Sequence, residues 1–317
     1  MQKKGIFIAA SIVVILAALI LINARENESA RTNKHLAITV TTNIIADAVK
    51  QIAGDKVKLH CLMQPGIDPH SYHARLSDLR MLLDADIIFY NGLHLEGKMA
   101  TILHKMHSIK PTFPVSDALH KNQLISSDEF EEIYDPHIWF DVSLWKQVII
   151  FITETLCRYD AQHASYFQER LSHYLQDLDL LDNQIKNLIA LINPDQRFLI
   201  TTHDAFSYFG RRYNFNVIGL QGINLDAEPC IKNMKDIIDL ICLHNIPVIF
   251  VESSLPHRSM QAIAQAVHAH GHTISIGDEL YSDTLGPSGS NADSYIGMLM
   301  HNTLALVSGL NPLYTVT

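Results

Sequence analysis

The chain has 317 residues, 48% of them hydrophobic and 18% charged, enough to enclose a sizeable core and too apolar for a disordered polymer. Its 24 Lys plus Arg against 33 Asp plus Glu give a net charge of −9, which argues against nucleic acid as a partner and suits a cationic ligand. Histidine is abundant, at 18 residues, and none of the four cysteines (Cys61, Cys157, Cys230, Cys242) sits at a short metal-binding spacing.

Lys3 and Lys4 precede an unbroken apolar run from Gly5 to Ile22, and a polar stretch follows to Lys34. Charge and order are those of an export signal. As a helix the run spans about 27 Å at ~1.5 Å per residue, close to a membrane span. Residues 1–24 are therefore read as a signal or membrane anchor. Cleavage after Ala24 would put Ile22 at the −3 position, a poor site, so residues 5–22 are expected to stay as an uncleaved anchor. Cys61 lies too far along for lipid attachment. Lys3 and Lys4 hold the short tail in the cytoplasm, which places the chain from about residue 36 on the other side of the membrane, in the periplasm or on the outer face.

The body alternates strand and helix signals. Leu36–Thr42 is β-branched and strand-like, and a helix pattern follows to about Ala53. Val57–Met63 predicts a second strand, Leu76–Ala85 a helix, Asp86–Tyr90 a buried strand, 93–107 a helix and Phe113–Val115 a short strand. Leu144–Tyr159 predicts another helix. Then comes Ala161–Ile192, free of Gly and Pro. Its apolar residues Leu171, Tyr174, Leu175, Leu178, Leu181, Ile185, Leu188 and Ile189 fall at steps of three and four, one face of a helix. If continuous, it is a rod of about 48 Å at ~1.5 Å per residue. Strand and helix signals then restart: Phe198–Thr202, 204–213, Asn216–Leu220, 230–244, Pro247–Val251, 258–269, Thr273–Ile276 and 292–308. The expected fold is α/β, with two lobes, each a mostly parallel sheet flanked by helices, linked by one long backbone helix. The lobes are expected at 36–160 and 193–317, with the rod at 161–192.

Candidate chemistry stands at strand ends. His70 and His137 each close an Asp-Pro-His tripeptide, at 68–70 and 135–137; His203 follows the strand at 198–202, and Asp283 follows the strand at 273–276. In open α/β sheets ligands bind at the carboxyl ends of strands. Three imidazoles and a carboxylate suit Zn, Mn or Fe(II). In each tripeptide Pro holds the preceding Asp out of helical geometry, so that the Asp is free to cap nearby amides and stiffen the loop under its His. Glu252, at the end of a buried strand, is a candidate partner for the second ring nitrogen of a ligating imidazole. His94 and Glu96 flank the Asn91-Gly92 loop. His268, His270 and His272 crowd a helix end, where alternate residues do not share a face.

The chain resembles the metal-binding receptors of ABC importers, the ZnuA/TroA-like family. The matching pieces are Gln64-Pro65-Gly66-Ile67-Asp68-Pro69-His70-Ser71-Tyr72, Tyr90-Asn91-Gly92-Leu93 with Leu95-Glu96, Asp135-Pro136-His137-Ile138-Trp139, Thr202-His203-Asp204-Ala205-Phe206 with Tyr208-Phe209, Val251-Glu252, and Ser282-Asp283 with Ser294-Tyr295. They follow the family's order from residue 36 to about 310. The resemblance implies metal ligands at His70, His137, His203 and Asp283 in a cleft between two lobes. It implies one divalent Zn, Mn or Fe ion as transported cargo, delivery to an ABC permease and its ATPase, and no enzymatic activity; a monomer is expected. His203 makes the set similar to the family's His-bearing types rather than to its Glu-bearing manganese receptors. One departure stands out. Dedicated zinc receptors of the family carry a long His- and acid-rich loop before the second Asp-Pro-His. Here 116–134 is short and acidic and holds only His120. The alternatives are an exported zinc hydrolase, with Asp204 as the only adjacent carboxylate for a base, and a surface adhesin.

Overall fold

The computed structural model describes residues 35–126, 133–223, 231–311 and 313–314. The expected anchor at 5–22, the acidic residues Asp128, Glu129, Glu131 and Glu132, and Cys230 lie outside them.

The first lobe is built on a four-stranded sheet of β1 (Leu36–Val40), β2 (Val57–Cys61), β3 (Ile87–Tyr90) and β4 (Thr112–Pro114), in the order β2-β1-β3-β4. β1 pairs with β3 and β3 with β4 in parallel, Ile38 opposite Ile87 and Ile88 opposite Thr112. Strand order reverses between β1 and β3, the kind of switch point beside which open α/β sheets bind ligands. Helix α1 (Asn43–Ala53) starts where Thr42 accepts the Ile45 N–H, and it buries Ile44, Ile45, Ala48, Val49 and Ile52. Helices α2 (Leu76–Asp84) and α3 (Ala100–His107) close a small core of Leu62, Met63, Leu82, Ile88, Met99 and Leu103. Helix α4 (Val142–Tyr159) is capped by Asp141, whose carboxylate accepts the Ser143 N–H.

The second lobe holds β5 (Phe198–His203) paired in parallel with β6 (Asn216–Gln221), and β7 (Val248–Ile249) in parallel with β8 (Ser275–Ile276). The Phe250 N–H bonds to Ile200 O (2.9 Å) and joins the two pairs. Helices α6 (Ser207–Tyr213), α7 (Ile231–His244), α8 (Arg258–Ala269) and α9 (Tyr295–Leu310) cover them. Helix α5 (Ala164–Ile189) links the lobes. Its buried stripe of Phe167, Leu171, Tyr174, Leu178, Leu181, Ile185 and Ile189 packs on α1 and α4 of the first lobe and on α9 of the second.

The elements differ from expectation in length. The rod is 26 residues, because Ala161–His163 forms a separate 3₁₀ turn and the chain leaves the helix at Ala190. The helix expected at 93–107 begins only at Ala100, since Leu93 and His94 both take left-handed backbone (φ 52° and 65°). Glu96 closes that turn locally by accepting the N–H groups of Asn91 and Gly92. The strands expected at 247–251 and 273–276 shrink to two residues each. Among the described residues no helix is long and apolar enough to cross a membrane.

Candidate metal centre

Four side chains converge where the two lobes meet. His70 stands on the loop after β2, His137 just before the 3₁₀ turn Ile138–Phe140, His203 at the last position of β5 and Asp283 on the loop between β8 and α9. Each offers a ligand atom, and these atoms lie within 4.8 Å of one another in a buried cluster. Nε2 of His137 is 3.3 Å from Nε2 of His70 and 3.4 Å from Nε2 of His203. Asp283 brings Oδ1 to 3.2 Å from His137 Nε2 and 3.9 Å from His70 Nε2, and Oδ2 to 3.4 Å from His203 Nε2. A tetrahedral centre with bonds of ~2.0–2.1 Å has donor–donor edges of about 3.3–3.4 Å, so most of these separations already match.

The donor atoms are prepared from behind. In both tripeptides the Asp caps its own His: Asp68 Oδ1 accepts the His70 N–H (2.8 Å) and Asp135 Oδ1 the His137 N–H (2.9 Å). Asp135 Oδ1 also stands 2.7 Å from His137 Nδ1, which fixes the tautomer and leaves Nε2 for a ligand. Glu252 serves His203 in the same way. Its Oε1 accepts the His203 N–H (2.8 Å), and its Oε2 lies 2.6 Å from Nδ1. Gly219 on β6 makes room for this: a Cβ there would stand 2.3 Å from Asp204 N and 2.6 Å from the His203 carbonyl carbon. Neither Asp283 oxygen receives an N–H aligned on it, although both are buried. A buried carboxylate without aligned donors costs free energy unless positive charge, from imidazolium or a metal ion, meets it.

Charge follows geometry. Burial alone would lower the His137 imidazole, but the Asp135 and Asp283 carboxylates beside it push it up to about 10. Burial likewise opposes the charged form of His203, and Glu252 and Asp283 raise it. Burial would raise the Asp283 carboxyl, yet the His203 and His137 charges hold it well below the usual carboxylate range. Protons on imidazoles thus supply the counter-charge in the metal-free chain.

Other candidates fall elsewhere. Glu96 is a staple, not a donor: it accepts the Thr41 hydroxyl (2.7 Å) as well as the two backbone N–H groups, and burial raises its carboxyl. His94 is exposed on a separate groove of about 590 Å³ with Tyr90, His104, His107 and Asp117. His268 Nε2 is 3.0 Å from Ile274 O, and His270 caps α8. Asp204 accepts the Ser207 hydroxyl (2.7 Å) and stays outside the cluster. Sequence reasoning read Asp135 as a cap only and gave no place to Trp139 and Tyr295. Trp139 Nε1 donates to Ser282 O (3.0 Å), and the Tyr295 hydroxyl donates to Trp139 O (2.8 Å). The quoted motifs contain all three residues, but the work of Trp139 and Tyr295 shows only in contacts across more than a hundred positions.

Fold and site together define a two-lobed binding protein with a buried His₃Asp cluster. Residues 38–309 match the model of the family described as zinc-uptake complex component A, periplasmic, and the chain belongs to that family. It is 40% identical over 285 residues to the zinc-binding protein TroA of Treponema pallidum, covering 90% of this chain and 92% of that one. It is 39% identical over 278 residues to the manganese-binding lipoprotein MntA of Bacillus subtilis, covering 88% and 90%. The solved structure of T. pallidum TroA superposes with a TM-score of 0.84 over 86% of this chain and 98% of that one. That of Fe(III)-bound YtgA from Chlamydia trachomatis, 26% identical, gives 0.79 over 87% and 98%.

Proposed function

We propose that this chain is the extracytoplasmic receptor of an ABC metal importer, capturing one divalent transition metal between its lobes for delivery to a permease and its ATPase. One observation carries the reading: three imidazole Nε2 atoms and the unpaired oxygens of buried Asp283 converge at metal-ligand spacing. In this reading His70, His137, His203 and Asp283 bind the ion, and Glu252 and Asp135 orient two of the imidazoles. The relatives' names divide among zinc, manganese and iron, so the cargo is drawn from those three. The words periplasmic and lipoprotein in the names of the family and its relatives also support an exported receptor at the outer face of the membrane, and residues 5–22 are its proposed tether. We assign the lobes to 36–160 and 193–317, with the linking segment at 161–192, and the working unit is a monomer.

The test is elemental analysis of the chain purified without chelator, beside His137→Ala. About one metal ion per wild-type chain is expected, with little in the variant. Where zinc is present it will dominate over manganese, because N/O sites follow the Irving–Williams order. A wild-type chain that retains no ion after loading and desalting sinks the reading.

A further inference from the structure

Beyond the imidazoles of the cluster Asp283 has no side-chain partner, so its aim is set by the backbone on either side of it. Before it, Trp139 holds Ser282 O. After it stands Asn43, the first residue of α1 in the opposite lobe. Its Nδ2 donates to Thr284 Oγ1 (2.7 Å), and its Oδ1 accepts the Leu285 N–H (3.0 Å). Thr284 Oγ1 also accepts the Gly66 N–H (3.2 Å) and donates to Leu285 O (3.1 Å). A hydroxyl has one donor and two acceptor positions, and here all three are used. Gly66 lies on the loop that carries His70, at φ +81°, where glycine is the favoured residue. One hydroxyl, on a residue 1% exposed, therefore ties the start of α1, the loop of the first ligand and the segment of the fourth.

We infer that Asn43 and Thr284 are positioning residues for metal retention, forming an interlobe latch that sets Asp283 against His70. The inference rests on the metal-receptor reading above. The His70–Asp283 pair stands at 3.9 Å, so a tetrahedral ion must draw these two groups together. The latch holds their two segments near that geometry before the ion arrives and resists their separation after it binds. It acts on residence of the ion more than on the rest of the fold.

Thr284→Val keeps the shape of the side chain and leaves Asn43 Nδ2 and the Gly66 N–H without an acceptor. Asn43→Ala removes the other side of the latch. Thr284→Ser keeps the hydroxyl. Zinc-loaded full-length protein is mixed with excess chelator, and the dissociation rate is read by stopped flow. Thr284→Val and Asn43→Ala are each expected to release zinc about tenfold faster, of the order set by leaving buried donors unpaired. The double variant should be no faster than the worse single one, because the two residues act through one network. Thr284→Ser should stay within about twofold of wild type, since it keeps the hydroxyl that a conservative swap needs.

Wild-type dissociation rates in both Thr284→Val and Asn43→Ala overturn the latch. So does a lower melting temperature of the metal-free variants with the rate unchanged, which marks a merely structural role. The control separates the two readings. If wild type holds zinc and His137→Ala does not, a negative result falls on the latch alone. If wild type holds no zinc, the receptor reading falls and the latch falls with it.

Discussion

The tripeptide Asp-Pro-His occurs twice, and its two copies do different work. In both, the Asp caps the backbone of its own His. There the likeness ends. Asp135 is fully buried and turns the same oxygen to His137 Nδ1, whereas Asp68 turns its second oxygen to the Ser71 hydroxyl (2.5 Å) and leaves the His70 ring to other neighbours. The flanks diverge as well. Around His137, Asn91 holds Pro136 O (2.9 Å), Tyr208 holds Asp135 O (2.9 Å) and Tyr295 holds Trp139 O. The loop of His70 runs past exposed Gln64, Pro65 and Gly66, and Thr284 ties it across the cleft. His137 is 0% exposed and His70 is 8% exposed. A three-residue motif fixes the backbone under a ligand. Tertiary surroundings decide whether that imidazole is also oriented, charged and immobilised.

The largest expected effect breaks this comparison outright. Four-ligand structural zinc sites are worth about 10–16 kcal/mol in apparent terms, so one ligand is worth about 3–4 kcal/mol, or 10²–10³ in affinity. His70→Ala should lose about that much. His137→Ala should lose more, because it also strands the buried Asp135 carboxylate without its imidazole. Competition titration against a fluorescent chelator gives both numbers. Equal losses would show that the second tripeptide has no advantage.

A smaller effect sharpens it. Partners behind a metal-bound imidazole are worth about 10–100-fold in affinity. Asp135→Asn should fall in that range, and so should Glu252→Gln, which weakens the carboxylate behind His203 in the same way. Asp68→Asn removes no contact to an imidazole and keeps an oxygen for the His70 N–H, so its effect should stay within a few-fold. The measurement is the ratio of the three dissociation constants. A large effect at Asp68 would place its charge, rather than its cap, in the site.

Much of this was legible in the residues, and the remainder was hidden for identifiable reasons. Helix α8 was readable because its apolar residues Met260, Ile263, Ala264 and Val267 keep helical spacing and Gly271 follows at φ +83°. The left-handed turn at Leu93–His94 was not, because neither residue favours it, while the buried carboxylate of Glu96 closes the turn and is tied to Thr41 just past β1. The rod was overdrawn at its start, where Asp160 pairs with His163 (2.7 Å) and closes a separate turn without any Gly or Pro. At the site, position at strand ends or helix starts made His70, His137, His203 and Asp283 candidates, and the resemblance singled them out as a set. The structure brings the four together. The bond from Asn43 to Thr284 spans 241 positions, a distance at which no local pattern carries information.

A change of pH, which needs no substitution, tests the electrostatics most directly. In the metal-free chain His137 titrates near 10, above its ordinary value, and His203 is raised in the same direction. A raised imidazole stabilises the fold below about pH 6.5, its unfolded value, and that contribution fades as pH climbs towards 10. A metal ion needs the neutral ring, so it must displace those protons. The carboxylates that raise His137 and His203 oppose the loss of those protons, and the incoming dication replaces the positive charge they carry. The cost of loading therefore depends on pH. Between about pH 6.5 and 8.5 the affinity should rise roughly tenfold per pH unit for each proton released. Over the same range the melting temperature of the metal-free chain should fall while the gap to the loaded chain widens. Calorimetric titration in buffers of different ionisation enthalpy counts the protons directly. A count near zero at pH 7 would mean that the free imidazoles are already neutral and that Asp283 waits for its metal without a counter-charge.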